Sequence, residues 1–176
     1  TELEHSTFEL TDLIKEILSI SSSMASLNNN VVRSSIAPNV PRYISGDKIR
    51  LSQILLNLLG NAIKFTKSGR IDLIVTVKEK KDLSLMLEFE VRDSGIGIPS
   101  SRIDTIFEMY TKGEISSSKK YKGTGLGLAI SKRLVEMMHG HIGVSSIEGK
   151  GSNFHFTILT EDCDYLLEKN IPASEP

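Results

Sequence analysis

One predicted helix, from about Lys48 to Phe65, constrains the fold more than any other segment. Apolar side chains occupy most of its circumference, which is typical of a helix that is covered on several sides. A stripe of polar side chains nevertheless runs along it, because successive residues of a helix are about 100° apart. The members of this stripe are Arg50, Gln53, Asn57, Asn61 and Lys64.

The helix alone leaves two interpretations of the polar stripe open. The stripe can face solvent on an ordinary amphipathic helix. It can also form the wall of a pocket, because asparagine is a poor helix former and a buried amide needs a partner. In such a pocket an asparagine oxygen could ligate a hard cation such as Mg²⁺, and the Lys64 ammonium could contact a phosphate.

The segments around this helix predict an α/β fold. A first amphipathic helix is expected to be capped by Thr11 and ended by the run 21–26 and the triplet Asn28–Asn30, and another helix is expected from about Leu126 to Met138. Ser6–Leu10 is compatible with a short strand, and 45–47 is expected to be a turn. The strands that should build the sheet lie near 31–37, 71–78, 83–92, 142–147 and 153–159.

Two glycine-rich segments stand beside these elements. Asp93–Pro99 follows an apolar strand, so the Asp93 carboxylate could accept a hydrogen bond from an exocyclic amine such as that of adenine. The alternative is a β-turn with an aspartate cap. Gly123–Ile130 has alternating glycines before a helix, where backbone N–H groups favour an anion. The alternative there is a flexible loop leading into the helix.

Composition and missing motifs exclude several classes of protein. The chain has 21 basic and 22 acidic residues, so it lacks the basic excess of a general nucleic-acid binder. Its one cysteine, Cys163, excludes an intramolecular disulfide. No apolar run is long enough to span a membrane. The sequence contains no P-loop, no Rossmann fingerprint, no protein-kinase signature and no zinc-protease motif.

Five motifs, taken in order, resemble the catalytic and ATP-binding domain of sensor histidine kinases, especially hybrid kinases. This domain has the Bergerat fold, which is shared with gyrase, Hsp90 and MutL. The resemblance implies a two-layer α/β sandwich in which a mixed, mostly antiparallel sheet of about five strands packs on three helices. The motifs are Ile54–Thr66, Asp93–Pro99, Ile106–Glu114, Lys122–Gly140 and Glu148–Phe156.

The resemblance also implies domain boundaries. Residues 7–160 would form the ATP-binding catalytic domain. Residues 1–6 would be the end of a helical dimerisation domain or a linker, and 161–176 a C-terminal linker or tail. Residues 99–122 would form a lid that is mobile without nucleotide, anchored by Phe107 and Tyr110. Met109 and Tyr110 replace the more usual Pro-Phe pair of the family, so we expect the packing of the lid to differ from the family's.

Roles for the site residues follow from the same resemblance. Asn61 would bind Mg²⁺, Asn57 would lie beside the phosphates and the metal, and Lys64 would contact phosphate. These three would form the catalytic group. The adenine would lie near Phe65 and Asp93, with Gly95, Gly97 and Ile98 shaping that wall. The residues that would close over the triphosphate are Lys122, Gly123, Thr124, Gly125, Leu126 and Gly127.

The implied function is transfer of the γ-phosphate of Mg-ATP to a histidine on a separate dimerisation domain, with a receiver domain downstream in a two-component pathway. One alternative is an ATPase of the gyrase, Hsp90 or MutL type, which has a glutamate where this chain has Asn57; an amide cannot act as a general base. A non-catalytic regulatory ATP-binding module is a second alternative, and a kinase that acts on serine is a third.

None of the four histidines has the phosphoacceptor pattern, in which an acidic residue and then a Thr-Pro pair follow the histidine. We therefore expect the phosphoacceptor to lie outside this chain. We also expect an isolated monomer, a homodimeric full-length protein, and no nucleic-acid partner or direct membrane insertion. The expected location is the cytoplasm, including the cytosolic part of a membrane-bound receptor.

Overall fold

The computed structural model describes residues 2–108 and 125–168. Within these ranges the strands are β1 (Ser6–Glu9), β2 (Val31–Ile36), β3 (Tyr43–Gly46), β4 (Arg70–Lys81), β5 (Ser84–Asp93), β6 (Ile142–Ile147) and β7 (Gly151–Asp162). The helices are α1 (Leu10–Ala25), α2 (Lys48–Lys64), α3 (Ser100–Ile103), α4 (Gly125–Met137) and α5 (Tyr165–Glu168).

All seven strands belong to one mixed sheet, in the order β1-β3-β7-β5-β4-β2, with β6 also paired to β7. Strands β2 and β4 are parallel, and the other pairs are antiparallel. One edge of β7 pairs with β5, whereas its other edge is shared between β6 and β3. The long strands β4, β5 and β7 therefore form the centre of the sheet.

Alternation of side chains gives the sheet one apolar face. In β5 the residues Leu85, Leu87, Phe89 and Val91 are fully buried, while the residues between them are half-buried. Phe89 is stacked on its cross-strand partner Phe156, with ring centroids 4.9 Å apart. Helices α1, α2 and α4 cover this face, so the molecule has two layers.

Helix α2 begins at its N-cap Asp47, whose carboxylate accepts a hydrogen bond of 3.0 Å from the Arg50 N–H. Its apolar residues are buried on the sheet and on the neighbouring helices. The polar stripe is divided: Gln53 and Lys64 are exposed, whereas Asn57 and Asn61 are half-buried. The solvent interpretation thus holds for the exposed part of the stripe, whereas its two asparagines are partly covered by neighbouring elements.

The C-terminal end of α2 is held by Asn30, which is 6% exposed. Its amide nitrogen donates to the carbonyl oxygens of Ile63 and Thr66, at 3.3 and 2.7 Å, and its oxygen accepts from the Gly69 N–H at 3.0 Å. These bonds satisfy carbonyls that the helix leaves free at its end. The asparagine run after α1 therefore fixes where α2 stops.

The predicted two-layer α/β arrangement is confirmed, but two local expectations were wrong. Tyr43–Gly46 is a strand where a turn was expected, and together with β1 it adds two short strands to the predicted sheet of about five. A four-residue strand with one fully buried apolar residue, Ile44, is recognisable only through its partners β1 and β7. Helix α1 begins at Leu10 without a side-chain cap at Thr11, and it ends at Ala25, inside the run 21–26 that was expected to end it.

No helix in the described ranges is both long and apolar enough to cross a membrane.

Candidate functional site

A pocket of about 530 Å³, part of it open to solvent, lies where α2 approaches the end of β5 and the start of α4. Most of its lining surface is apolar, as is usual for a site that binds a small molecule. Its described lining residues are Asn61, Ala62, Phe65, Asp93, Gly97, Ile98, Arg102, Ile106, Leu128, Ser152 and Phe154.

Asp93 is the only carboxylate among these described lining residues. Burial raises the pKa of Asp93, and the backbone N–H groups of Gly95 and Ser152 oppose this rise by donating to the carboxylate. The Gly95 N–H lies 2.9 Å from Asp93 Oδ1. The carboxylate is therefore fixed by the backbone, and its remaining lone pairs can accept hydrogen bonds from a ligand.

The loop after Asp93 is held from two sides by main-chain contacts. The Ile96 N–H donates to the Phe65 carbonyl oxygen at 3.1 Å, and the Gly149 N–H donates to the Ile96 carbonyl oxygen at 2.7 Å. On the side of β6, the Ile98 N–H donates to Ser146 Oγ at 2.8 Å. The pocket wall is thus attached both to the end of α2 and to the β6–β7 turn.

Both glycines of this loop are required by close packing. A Cβ at Gly95 would collide with the Phe65 carbonyl oxygen and would lie 2.9 Å from Asp93 Oδ1. Gly97 has a φ of 69°, and a Cβ there would collide with the Ile147 carbonyl oxygen. Any side chain at Gly97 is therefore opposed by both backbone conformation and space.

The two asparagines of α2 have different environments. Asn61 lines the pocket, and its buried Nδ2 has no hydrogen-bond partner among the described residues. Rotation of the amide by 180° would present its oxygen at the same place. Asn57 instead donates from Nδ2 to Ser131 Oγ of α4 at 2.7 Å. Asn61 is therefore the asparagine that is available to a ligand.

Lys64 and Phe65 lie at the edge of the pocket. Phe65 is half-buried and lines it, whereas Lys64 is exposed, with its Nζ 5.5 Å from the centroid of the Phe65 ring. The ring of Phe107 meets Phe154 edge-on, with centroids 6.1 Å apart. An aromatic pair therefore supports the pocket on the side of α3, where Arg102 and Ile106 also lie.

The structure brings together most of the predicted residues that it describes. Asn61, Phe65, Asp93, Gly97 and Ile98 line one pocket. Gly95 holds Asp93, and Gly127 contacts Asn57 just outside the pocket lining. Tyr110, Lys122, Gly123 and Thr124 lie outside the described residues, as does most of the predicted lid; Gly125 and Leu126 open α4, and the Leu126 side chain is not described.

Sequence reasoning missed the residues that reach the pocket through tertiary contacts. Ser152 is opposite Asp93 in the β5–β7 pairing, which a correct strand register would have revealed. Ser146 Oγ accepts from the Ile98 N–H and lies 2.8 Å from Ser152 Oγ. The sequence around Ser146 predicts a strand and gives no sign of these contacts. Ser131 had no signal of its own, because a single serine in a predicted helix is unremarkable.

The arrangement matches a known family of nucleotide-binding proteins. The model of the family described as histidine kinase-, DNA gyrase B- and HSP90-like ATPases matches residues 46–162, so the chain belongs to this family. Within it, the chain is a catalytic domain of the histidine-kinase type. The resemblance seen in the five sequence motifs is confirmed.

Three relatives place the chain in that branch. Hybrid signal transduction histidine kinase B of Dictyostelium discoideum is 46% identical over 123 residues, which cover 70% of this chain and 6% of that protein. Full-length ShkA in complex with AMPPNP aligns with a TM-score of 0.77 and 29% identity, over 93% of this chain and 32% of ShkA. The catalytic domain of histidine kinase ThkA aligns with a TM-score of 0.68 and 26% identity, over 88% of this chain and 95% of that domain.

The chain thus spans only a small part, between 6% and 17%, of the curated relatives it matches. In contrast, it covers nearly all of the ThkA catalytic domain.

The close contact at Gly97 can be measured with a matched pair of substitutions. Gly97→Ala and Gly149→Ala both place a Cβ on a residue with positive φ, but at Gly149 the Cβ would meet open space. We expect Gly149→Ala to lower the free energy of unfolding by about 1–2 kcal/mol, and Gly97→Ala to lower it by clearly more. Urea denaturation of both variants measures the difference; equal losses would contradict the packing role of Gly97.

Proposed function

We propose that this chain binds Mg-ATP in the α2–β5 pocket and supplies its γ-phosphate to a histidine on a separate dimerisation domain, in two-component signalling. One observation carries the proposal: a backbone-held carboxylate, Asp93, and an unpartnered asparagine amide, Asn61, line the same pocket. The first suits the amine of adenine, and the second suits a metal ion or phosphate. The AMPPNP held by ShkA, an ATP analogue, gives further support.

At the adenine end, Asp93 would accept the hydrogen bond of the exocyclic amine. Phe65 and Ile98 offer apolar surface to the base, and Gly97 allows the wall to approach closely. Asp93 is partly shielded from water here, because the packing that raises its pKa also covers part of the carboxylate. A hydrogen bond to a carboxylate in such a place is stronger than one made in water.

At the phosphate end, Asn61 would ligate Mg²⁺ through its amide oxygen, and Lys64 would contact a phosphate from the pocket edge. Bound Mg²⁺ would neutralise charge on the phosphate oxygens. Asn57 would stand beside the phosphates and the metal. Gly123, Thr124, Gly125, Leu126 and Gly127, with Lys122, are proposed to cover the triphosphate, and Phe107 and Tyr110 to anchor the lid.

Transfer to a protein acceptor is favoured over hydrolysis by the chemistry of Asn57. A hydrolase of this family needs a base to activate water, and an amide cannot take a proton near neutral pH. The Asn57 Nδ2 is moreover occupied by Ser131. A non-catalytic module remains the second candidate, but the joint placement of Asn61, Phe65 and Asp93 gives no sign of a degraded site.

Partners and location complete the proposal. The phosphoacceptor domain and the receiver domain would belong to the longer protein, as the hybrid-kinase relatives suggest by their names. The full-length protein would be a homodimer and the isolated domain a monomer. A cytosolic location would give the site access to ATP.

Replacing Asp93 tests the adenine end. Asp93→Asn should weaken adenosine binding about 10-fold or more, because a hydrogen bond to a charged acceptor is worth about 1.5–3 kcal/mol. Asp72→Asn is the matched control, since Asp72 lies on the same sheet and pairs with Arg33 and Arg70. Calorimetry gives both affinities, and an unchanged affinity in Asp93→Asn would contradict the assignment.

The same variant predicts a pH dependence. Burial raises the pKa of Asp93, so adenosine binding that needs the carboxylate should be lost on acidification at a pH above the ordinary aspartate value. The difference in affinity between wild type and Asp93→Asn should shrink as the pH falls through this pKa. Protonation of adenosine affects both proteins equally, so it cancels when the two affinities are compared at the same pH.

Replacing Asn61 tests the metal. Asn61→Ala should reduce the gain in ATP affinity that Mg²⁺ provides, because the amide at the pocket wall is removed while the adenine contacts stay. Asn39→Ala, in an exposed loop, is the control. ATP titrations with Mg²⁺ and with a chelator measure this gain. If it is the same in all three proteins, the metal is held elsewhere.

Labelled ATP separates a kinase from an ATPase. With Mg²⁺ and γ-labelled ATP, we expect slow phosphate release and no label on the chain alone, since no histidine here has a phosphoacceptor context. Adding the histidine-bearing dimerisation domain of the Dictyostelium relative should produce acid-labile label on that domain. Rapid labelling of the isolated chain, or turnover comparable to that of a gyrase-type ATPase, would overturn the proposal.

A further inference from the structure

A short slot on α4 receives the side chain of Asn57. Gly127 and Ser131 are four residues apart on this helix, so they lie one turn apart on the same side. The Asn57 amide sits between them: a Cβ at Gly127 would collide with Asn57 Oδ1, and Asn57 Nδ2 donates to Ser131 Oγ at 2.7 Å. The amide oxygen of Asn57 therefore lies against Gly127, and its amide nitrogen lies against Ser131.

The slot is closed to solvent at its Ser131 side, because Ser131 is only 1% exposed. Water cannot readily replace this hydroxyl as the partner of the Asn57 amide. Without it the amide nitrogen would lose its acceptor on the α4 side, or the side chain would rotate to find another partner. The position of Asn57 thus depends on a residue of the neighbouring helix.

The slot also connects two parts of the proposed phosphate site. Asn57 stands on α2, one turn before Asn61, while Gly127 belongs to the glycine segment that opens α4. A fixed Asn57 keeps these two parts in register, because each is attached to its own helix and the helices meet at this contact. The adenine end, formed by Asp93 and the loop after it, takes no part in the slot.

We propose that Ser131 is a positioning residue: it holds the Asn57 amide in the slot and thereby aligns α2 with the glycine segment around the phosphates. The inference rests on the proposed function, because it takes Asn57 to act beside the phosphates and the metal. It adds a residue outside the pocket lining whose effect is confined to the phosphate end.

Binding measurements separate positioning from a merely structural role. Ser131→Ala should weaken Mg-ATP binding about 2- to 10-fold, the range given by loss of one neutral hydrogen bond, and leave adenosine binding unchanged. Ser131→Thr keeps the hydroxyl and should restore most of the Mg-ATP affinity. Ser21→Ala is the matched control, because Ser21 is an equally buried serine (2% exposed) on α1, away from the site.

A second measurement uses the wild-type chain. The side-chain NH₂ signals of Asn57 in a ¹⁵N–¹H spectrum, identified by their absence in Asn57→Asp, should exchange slowly with water, as expected for an amide that donates to a buried hydroxyl. In Ser131→Ala they should exchange faster and shift towards the values of exposed asparagines. Rapid exchange in the wild type would overturn the inference without any variant.

The outcomes distinguish this inference from the proposed function. If the wild-type chain does not bind Mg-ATP, both fail. If the wild type binds with Mg²⁺ dependence but Ser131→Ala behaves like Ser21→Ala, only the inference fails. If Ser131→Ala loses Mg-ATP and adenosine affinity equally, the serine is structural and the positioning role is excluded.

Discussion

The packing of α2 against the sheet and its neighbouring helices is the constraint on which the site depends. Leu51, Leu55, Leu58 and Leu59 are fully buried, so the helix can neither rotate nor slide without exposing them. With α2 held in this orientation, the side chains of Asn57 and Asn61 face α4 and the end of β5. Asn30 fixes the C-terminal end of the helix through its hydrogen bonds to the Ile63 and Thr66 carbonyl oxygens.

The pocket wall is positioned relative to this end of α2 by hydrogen bonds from the main chain of the loop after Asp93. The Phe65 carbonyl oxygen, just after α2, accepts from the Ile96 N–H. The same loop is attached to the β6–β7 turn through the Gly149 N–H and to strand β6 through the Ser146 hydroxyl. Asp93 is thereby fixed by backbone geometry and by its cross-strand neighbour Ser152. A carboxylate that is positioned before a ligand arrives loses little conformational freedom on binding.

Much of this could be predicted from the sequence, because strong signals are local. Helix α2 is indicated by the period of its apolar residues, and β5 by the alternation of its side chains. The glycines after Asp93 indicate a closely packed loop, and the five motifs in order identified the family. What could not be predicted depends on partners far away in sequence. Strand β3 is identified only by its pairing with β1 and β7. The role of Ser131 is visible only in the folded protein, where α4 packs on α2 and the serine accepts a hydrogen bond from Asn57.

The distribution of charge in the pocket fits phosphate transfer better than hydrolysis. Its one described carboxylate stands at the proposed adenine end, whereas the α2 residues proposed to face the phosphates and the metal are two neutral amides and the Lys64 ammonium. A carboxylate near a polyphosphate would add repulsion and a desolvation cost, which a hydrolase accepts because it needs a base. A domain that only presents the phosphate to another domain's histidine has no such need. Its catalytic contribution is then positioning, and that is the property that the bond between Asn57 and Ser131 supports.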